Sequence, residues 1–378
     1  MTKKRIWVVI FAMICMFATG CGKDDMIVLT PYGDAIIQNE GSSTGTRTTA
    51  ASSTDRTSAG NGAVSTGGQE TTGAETGNDT SGLIHVGFAQ VGAESGWRLA
   101  QTQSMKETFT AENGYLFDFV DCNNSQKTQL QTLERFVEDG VQYIILDSIV
   151  EDGYEDVLKK AQDAGIPVIV VDRNISADAS LYACWVGSDF AREGRDAAQW
   201  LVSFLSENGR ESENLNILTI LGSDGASATI GRTDGFEEIA NEQSNWNLLD
   251  KQTGDFSKDG GYAVMKAYLD KYDDIDVVVC QNDDEAFGAV EAIKEAGRTC
   301  GRGGDIIIIS FDATGAGFQA MIDGDINVDV ECNPLEGPFV AELIQKLEKG
   351  ETVEEIQYME EGVFPAEEAA DVLPVRAY

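Results

Sequence analysis

The chain has 378 residues and carries 27 lysines and arginines against 64 aspartates and glutamates, a net charge of −37. A chain this acidic repels phosphate backbones, which argues against nucleic acid, and a single histidine argues against multi-histidine metal sites and histidine-based acid/base relays. At 42% hydrophobic residues it is not wholly disordered, and its length allows two lobes of about 100–200 residues each.

Lys3, Lys4 and Arg5 precede an apolar run from Ile6 to Ala18. That run is too short for a bilayer, which needs about 20 residues, and has the pattern of a secretory signal. It ends Ala18-Thr19-Gly20-Cys21, which resembles a bacterial lipobox and implies removal of residues 1–20 and a lipid on Cys21. Residues 21–82 then read as a lipid-anchored flexible tether. From Gly41 to Gly82 serine, threonine, glycine and alanine dominate, with no aromatic residue and only Val64 as a larger aliphatic one. Such a segment cannot bury enough surface to offset its ordering entropy, and spans about 35 Å as a flexible chain. The later cysteines are Cys122, Cys184, Cys280, Cys300 and Cys332; they form no C-x-x-C and read as mostly small buried residues, with a Cys280–Cys300 pairing left open.

From residue 83 onward strand and helix patterns alternate. Ile84–Gln90 reads as a buried strand and Gln126–Asp139 as a helix with Leu130, Leu133, Phe136 and Val137 on one face, stopped by Gly140. Tyr143–Leu146 is a strand, Asp152–Ala164 a helix, and the stretch from Pro167 to Val171 a fully buried strand. The pattern restarts with helix Phe190–Glu207, strand Asn216–Leu221, helices Gly235–Asn241 and Gly260–Lys271, and strands Ile275–Cys280 and Ile306–Phe311; Val328-Asp329-Val330 is also strand-like. Repeated βαβ units mean parallel sheets. The expectation is an α/β protein of two doubly wound lobes of similar size with a cleft between them.

In such sheets ligands bind beyond the carboxyl ends of the strands. The residues there are Glu94, Ser95, Trp97 and Arg98; Asp172, Arg173 and Asn174; Ser223, Ser227 and Arg232; Asn282, Asp283 and Asp284; Asp312; and Glu331 and Asn333. Carboxylates, amides and guanidinium groups suit a polyhydroxylated ligand, whose hydroxyls both donate and accept, and Trp97 offers a face for the C–H side of a sugar ring. Each also has a plainer reading: Asp172-Arg173 as a structural ion pair, Asp283 and Asp284 as helix caps, Trp97 as core, Arg232 as surface. His85, in a strand with apolar neighbours, reads as structural.

The run Val86-Gly87-Phe88-Ala89-Gln90-Val91-Gly92-Ala93-Glu94-Ser95-Gly96-Trp97-Arg98 resembles the opening of the sugar-binding proteins of ABC transporters, which have the type I periplasmic-binding fold. Within that family it is most similar to galactofuranose-binding members of enteric bacteria. Val171-Asp172-Arg173, Ser257-Lys258, Asn282-Asp283-Asp284, Ile293 to Gly297, Phe311-Asp312 and Val330-Glu331 continue the resemblance. It departs at Asp121-Cys122-Asn123, Leu221-Gly222-Ser223 and Asn333-Pro334-Leu335. The resemblance implies a two-lobed receptor closing on a monosaccharide, with Glu94, Ser95, Trp97, Arg98, Asp172, Arg173, Arg232, Asn282, Asp312 and Glu331 on the ligand. It also implies a three-crossing hinge, giving a first lobe of 83–189 plus 332–354 and a second of 190–331 plus 355–378.

The function expected is a lipid-anchored extracytoplasmic receptor delivering its sugar to an ABC permease with a separate ATPase, since the chain has no G-x-x-x-x-G-K-[ST] loop. It touches the membrane through the lipid alone and uses no cofactor or metal. The alternative is a sensor presenting the sugar or a signal molecule to a membrane signalling protein. A glycosidase would need paired carboxylates about 5–9 Å apart, whereas each acid here sits near an arginine or amide. A repressor-type ligand domain would need the basic helix-turn-helix that is missing.

Overall fold

The computed structural model describes residues 82–378, together with an antiparallel pairing of two short strands earlier in the chain, β1 (Val28–Leu29) and β2 (Ala35–Ile36). The signal run, Cys21 and the stretch from Gly41 to Ser81 lie outside the described residues.

Two six-stranded sheets follow. The first has the order β13-β7-β6-β5-β3-β4 and is parallel throughout. Its strands are β3 (Ile84–Gln90), β4 (Tyr115–Asp121), β5 (Tyr143–Leu146), β6 (Val168–Val171), β7 (Cys184–Gly187) and β13 (Ile356–Tyr358). The second has the order β14-β12-β11-β10-β8-β9. It comprises β8 (Leu215–Leu221), β9 (Trp246–Thr253), β10 (Val277–Cys280), β11 (Ile307–Asp312), β12 (Val328–Glu331) and β14 (Val363–Pro365). Only β14 runs antiparallel, against β12.

The helices of the first lobe are α1 (Gly96–Thr108), α2 (Gln126–Asp139), α3 (Glu155–Asp163) and, from later in the chain, α9 (Glu336–Glu348). Val340, Leu343 and Ile344 of α9 pack with Val86, Phe88, Ile145 and Ile169 of the sheet. The second lobe carries α4 (Phe190–Glu207), α5 (Ser227–Ala240), α6 (Lys258–Lys271), α7 (Asp283–Glu295), α8 (Gly315–Asp323) and the short α10 (Ala369–Val372). The innermost strands are apolar on both faces, as burial between two helix layers demands. Ser95, Ser125 and Asn282 cap α1, α2 and α7 by accepting from backbone N–H groups three residues on.

Three differences from the sequence expectations have physical causes. The helix expected at Gly235–Asn241 begins at Ser227. Gly231 and Gly235 are contact points rather than breaks: a Cβ on Gly235 would lie 2.0 Å from the Ala191 carbonyl oxygen of α4. The helix expected from Asp152 begins at Glu155, after buried Tyr154 donates its hydroxyl to Gln129 Oε1 at 2.6 Å.

The third concerns the hinge. The chain leaves the first sheet after Gly187, returns after Glu331, and crosses again between Tyr358 and Val363, later than the expected division at 354/355. Residues 355–358 stay with the first sheet because β13 pairs with β7. Trp185 N–H donates to the Glu355 carbonyl at 2.9 Å, and the Trp185 and Tyr358 rings meet edge to face. All five cysteines from Cys122 to Cys332 are buried and free, so Cys280 and Cys300 are not bridged.

Candidate functional site

The carboxyl ends of both sheets face a cavity. It is lined by Glu94, Ser95, Trp97, Arg98, Asp172, Arg173, Ala228, Arg232, Phe256, Asn282, Asp312 and Cys332. Nine of the ten residues expected from sequence are thus brought together, from segments following β3, β6, β8, β10 and β11.

The first-lobe wall is a charge network held by its own side chains. The Arg98 guanidinium, 3% exposed, donates to Asp147 Oδ2 at 2.6 Å, Asp172 Oδ2 at 2.7 Å, Glu94 Oε1 at 3.2 Å and Gln101 Oε1 at 3.0 Å. Arg173 reaches Glu94 Oε1 at 3.3 Å and the Ile149 carbonyl at 3.3 Å. Burial pushes the Glu94 carboxyl up, but the Arg98 and Arg173 charges outweigh it and hold the group below its ordinary value, hence ionised. Its other oxygen, Oε2, is buried with no hydrogen-bond partner among the described residues.

The second-lobe wall is built from single residues. Arg232 of α5, 3% exposed, donates Nε to Glu193 Oε2 at 2.6 Å, bonds the Gln281 carbonyl and lies 3.6 Å from Asp312 Oδ1. Burial pushes the Asp312 carboxyl well above its ordinary value, against the pull of Arg232. Asn282 spends its side chain internally: its oxygen caps α7 on Glu285 N–H and its nitrogen donates to the Phe256 carbonyl at 3.1 Å.

Two aromatic residues complete the cavity lining. The Trp97 indole N–H donates to the Cys332 carbonyl at 2.6 Å, tying α1 to the second hinge crossing. The Phe256 ring lies beneath the Arg173 guanidinium, 5.2 Å from its centroid. Gly222 makes room for that ring, since a Cβ there would lie 2.0 Å from Phe256 Cζ. Asp172, Phe256 and Asp312 have φ of 55°, 55° and 104°. Left-handed backbone at such residues costs on the order of 1–3 kcal/mol each and persists where surrounding contacts enforce it.

Direct contacts also span the cleft: Gly96 N–H donates to Asp284 Oδ2 at 2.9 Å, Asn174 N–H to Ser227 Oγ at 2.8 Å, and Glu151 N–H to the Gly225 carbonyl at 3.3 Å. Asp284 is therefore a bridge between lobes. Asp283 points inward, accepting from Ser310 and Thr314.

Glu331, the tenth, does not line this cavity. Its carboxylate accepts from Arg376 Nη1 at 2.8 Å, the Tyr378 hydroxyl at 2.8 Å and Gly362 N–H at 2.9 Å, and it lines a separate cavity at the hinge. C-terminal residues absent from the strand pattern claim it. The sequence reading missed Phe256, Ala228 and Cys332. His85 sits near the amino end of β3, away from the cavity.

Residues 86–352 match the family described as periplasmic binding protein domain. The galactofuranose-binding protein YtfQ of Escherichia coli strain K12 is 37% identical over 275 residues, which is 71% of this chain and 84% of that protein. A structure from Mycobacterium smegmatis in complex with β-D-fucofuranose shares 40% identity at a TM-score of 0.73, covering 77% of this chain and 94% of the other. The binding protein of the arabinose ABC transporter from Shewanella sp. ANA-3, bound to α- and β-L-arabinofuranose, shares 36% identity at a TM-score of 0.72, covering 78% and 95%.

Proposed function

The chain belongs to the periplasmic binding protein domain family, a family of binding proteins rather than enzymes, and on that premise we propose that it captures a monosaccharide in its furanose ring form. Galactofuranose or a related five-membered ring would sit between the lobes. The joint lining carries this reading: the ionised Glu94 carboxylate, the Arg98, Arg173 and Arg232 guanidinium groups and the Trp97 and Phe256 rings converge on one cavity at the strand ends. The furanose ligands of the similar proteins support it. Polar groups fixed in this way reject ligands that leave them unpaired.

The same proposal places the protein on the extracytoplasmic face of the membrane, held by a lipid on Cys21, handing its sugar to an ABC permease driven by a separate ATPase. Among the described residues no helix is long and apolar enough to cross a membrane. Closure of the lobes changes the surface offered to such a partner.

The test is a thermal-shift panel with L-arabinose, galactose, fucose, ribose, glucose and a methyl galactofuranoside. Ligand at 100 times its Kd adds about 2.7 kcal/mol, which for a protein of this size is about 5–10 °C. A shift with one or two furanose-forming sugars is expected. No shift with any sugar would sink the proposal.

A further inference from the structure

The three chain crossings between the lobes converge on a cluster that adjoins the proposed sugar site through Cys332 and Arg232. Glu193 of α4, Cys332 on the second crossing and Glu361 on the third place one ligand atom each within 4.8 Å of one another. Ser188, on the first crossing, lies 3.2 Å from Cys332 Sγ through its hydroxyl, which also bonds Glu361. Glu193 is 3% exposed, and while its Oε2 is held by Arg232, its Oε1 has no hydrogen-bond partner among the described residues. Arg232 already pairs with Glu193 Oε2, but two carboxylates and a thiol this close, with Glu193 Oε1 buried and unpaired among the described residues, leave room for a second positive centre.

A route in exists. A cavity opens beside the cluster, lined by Asp189, Glu193, Asp196, Glu331 and Glu361 together with Arg192, which pairs with Asp196. Its acidic majority favours cations over anions.

We propose that Glu193, Cys332 and Glu361 form a divalent-metal site at the hinge, selective for a thiophilic ion of the zinc class. One thiolate and two carboxylate oxygens are a zinc-type set, with Ser188 or water in the fourth position; magnesium and calcium prefer oxygen alone. On binding, the Cys332 proton and any proton held by Glu361 leave to solvent, and Cys332 Sγ bonds the metal. The ligands must draw together, since Zn–S and Zn–O bonds are about 2.3 Å and 2.0–2.2 Å. The bound ion would join the second and third crossings to α4. It would also brace two groups at the sugar cavity: Cys332, whose carbonyl holds Trp97, and Glu193, which holds Arg232.

The test uses the purified protein without a histidine tag, stripped with a chelator. Cd2+ alone is titrated while the ultraviolet thiolate-to-metal band is followed; Zn2+ alone is titrated by calorimetry. The expected result is a saturable 1:1 band that is lost in Cys332→Ser, and Zn2+ affinity at least about tenfold weaker in Glu361→Gln. No band, a band surviving in Cys332→Ser, or unchanged affinity in Glu361→Gln would overturn the proposal. If near-ultraviolet circular dichroism shows Cys332→Ser unfolded, Glu361→Gln decides alone.

Discussion

The two walls of the cleft solve the same problem differently. The first-lobe wall is a contiguous platform in which Arg98 collects Glu94, Asp147 and Asp172 while Arg173 leans on Glu94. The second-lobe wall gathers one residue from each of several segments: Arg232, Phe256, Asn282 and Asp312. Its charges are fewer, and Arg232 is matched mainly by Glu193 from a helix behind it. The first wall is a preorganised electrostatic surface, so its residues bear on folding as well as on ligand. The second depends on close steric fit around Phe256, so its residues should bear on ligand more than on folding.

Arg98→Ala would test that division with the largest effect. It leaves three buried carboxylates without their common partner, and breaking a buried pair this way costs about 3–5 kcal/mol. A large fall in Tm without ligand is expected; a change within about 0.5 kcal/mol would show that the platform is not structural. Arg173→Ala comes next. Its bonds are longer and Glu94 keeps Arg98, so the protein should stay folded while sugar affinity falls about 100-fold by calorimetry. Unchanged affinity would refute the reading of the strand ends. The same variant carries a pH signature. A depressed Glu94 value adds stability that is present above the ordinary value of 4.5 and lost as pH falls through the lower folded value. Removing Arg173 takes away one of the two charges holding it down. The acid limb of stability and binding should therefore move to higher pH; an unmoved limb would show that Arg173 exerts no such hold.

Gly222→Ala probes the second wall. The added methyl meets the Phe256 ring, and the displaced ring would lose its place under Arg173. Affinity about tenfold weaker is expected, with Tm changed far less than in Arg98→Ala. Equal damage to both would erase the contrast between the walls.

The contrast also governs what could be read in advance. The first wall was legible because β3 and β6 are buried apolar strands whose next residues carry the chemistry in unbroken runs. The second was legible only where a strand was equally plain, as for Asn282 and Asp312 after β10 and β11. Phe256 follows β9, an edge strand whose residues after Trp246 are half-buried or exposed, so no apolar run announces it. Ala228 offers no polar atom to notice. Glu331 and Cys332 are adjacent, and the choice between them turned on partners far along the chain: Gly362, Arg376 and Tyr378 occupy Glu331. Helix α1 was hidden because the face it buries includes Gln101 and Ser104 rather than an apolar stripe. Helix α5 was foreshortened because its glycines serve contact with α4.

The smallest expected effect belongs to Asp284, which joins the walls. Its carboxylate accepts the Gly96 N–H, one of the donors that the first turn of α1 leaves without a helical partner. The bond crosses the cleft, so it exists only with the lobes together and favours the closed state by the net worth of one hydrogen bond, about 0.5–1.5 kcal/mol. A contact made in one state shifts the equilibrium by no more than its difference between states. Asp284→Ala should therefore speed sugar release about two- to tenfold in stopped-flow measurements while leaving the Tm without sugar nearly unchanged. Asp284→Asn retains an acceptor oxygen and should recover most of the loss. If Asp284→Ala released sugar at the original rate, the cleft would be held shut by the ligand and the two walls alone, with Asp284 no more than a helix-terminus carboxylate.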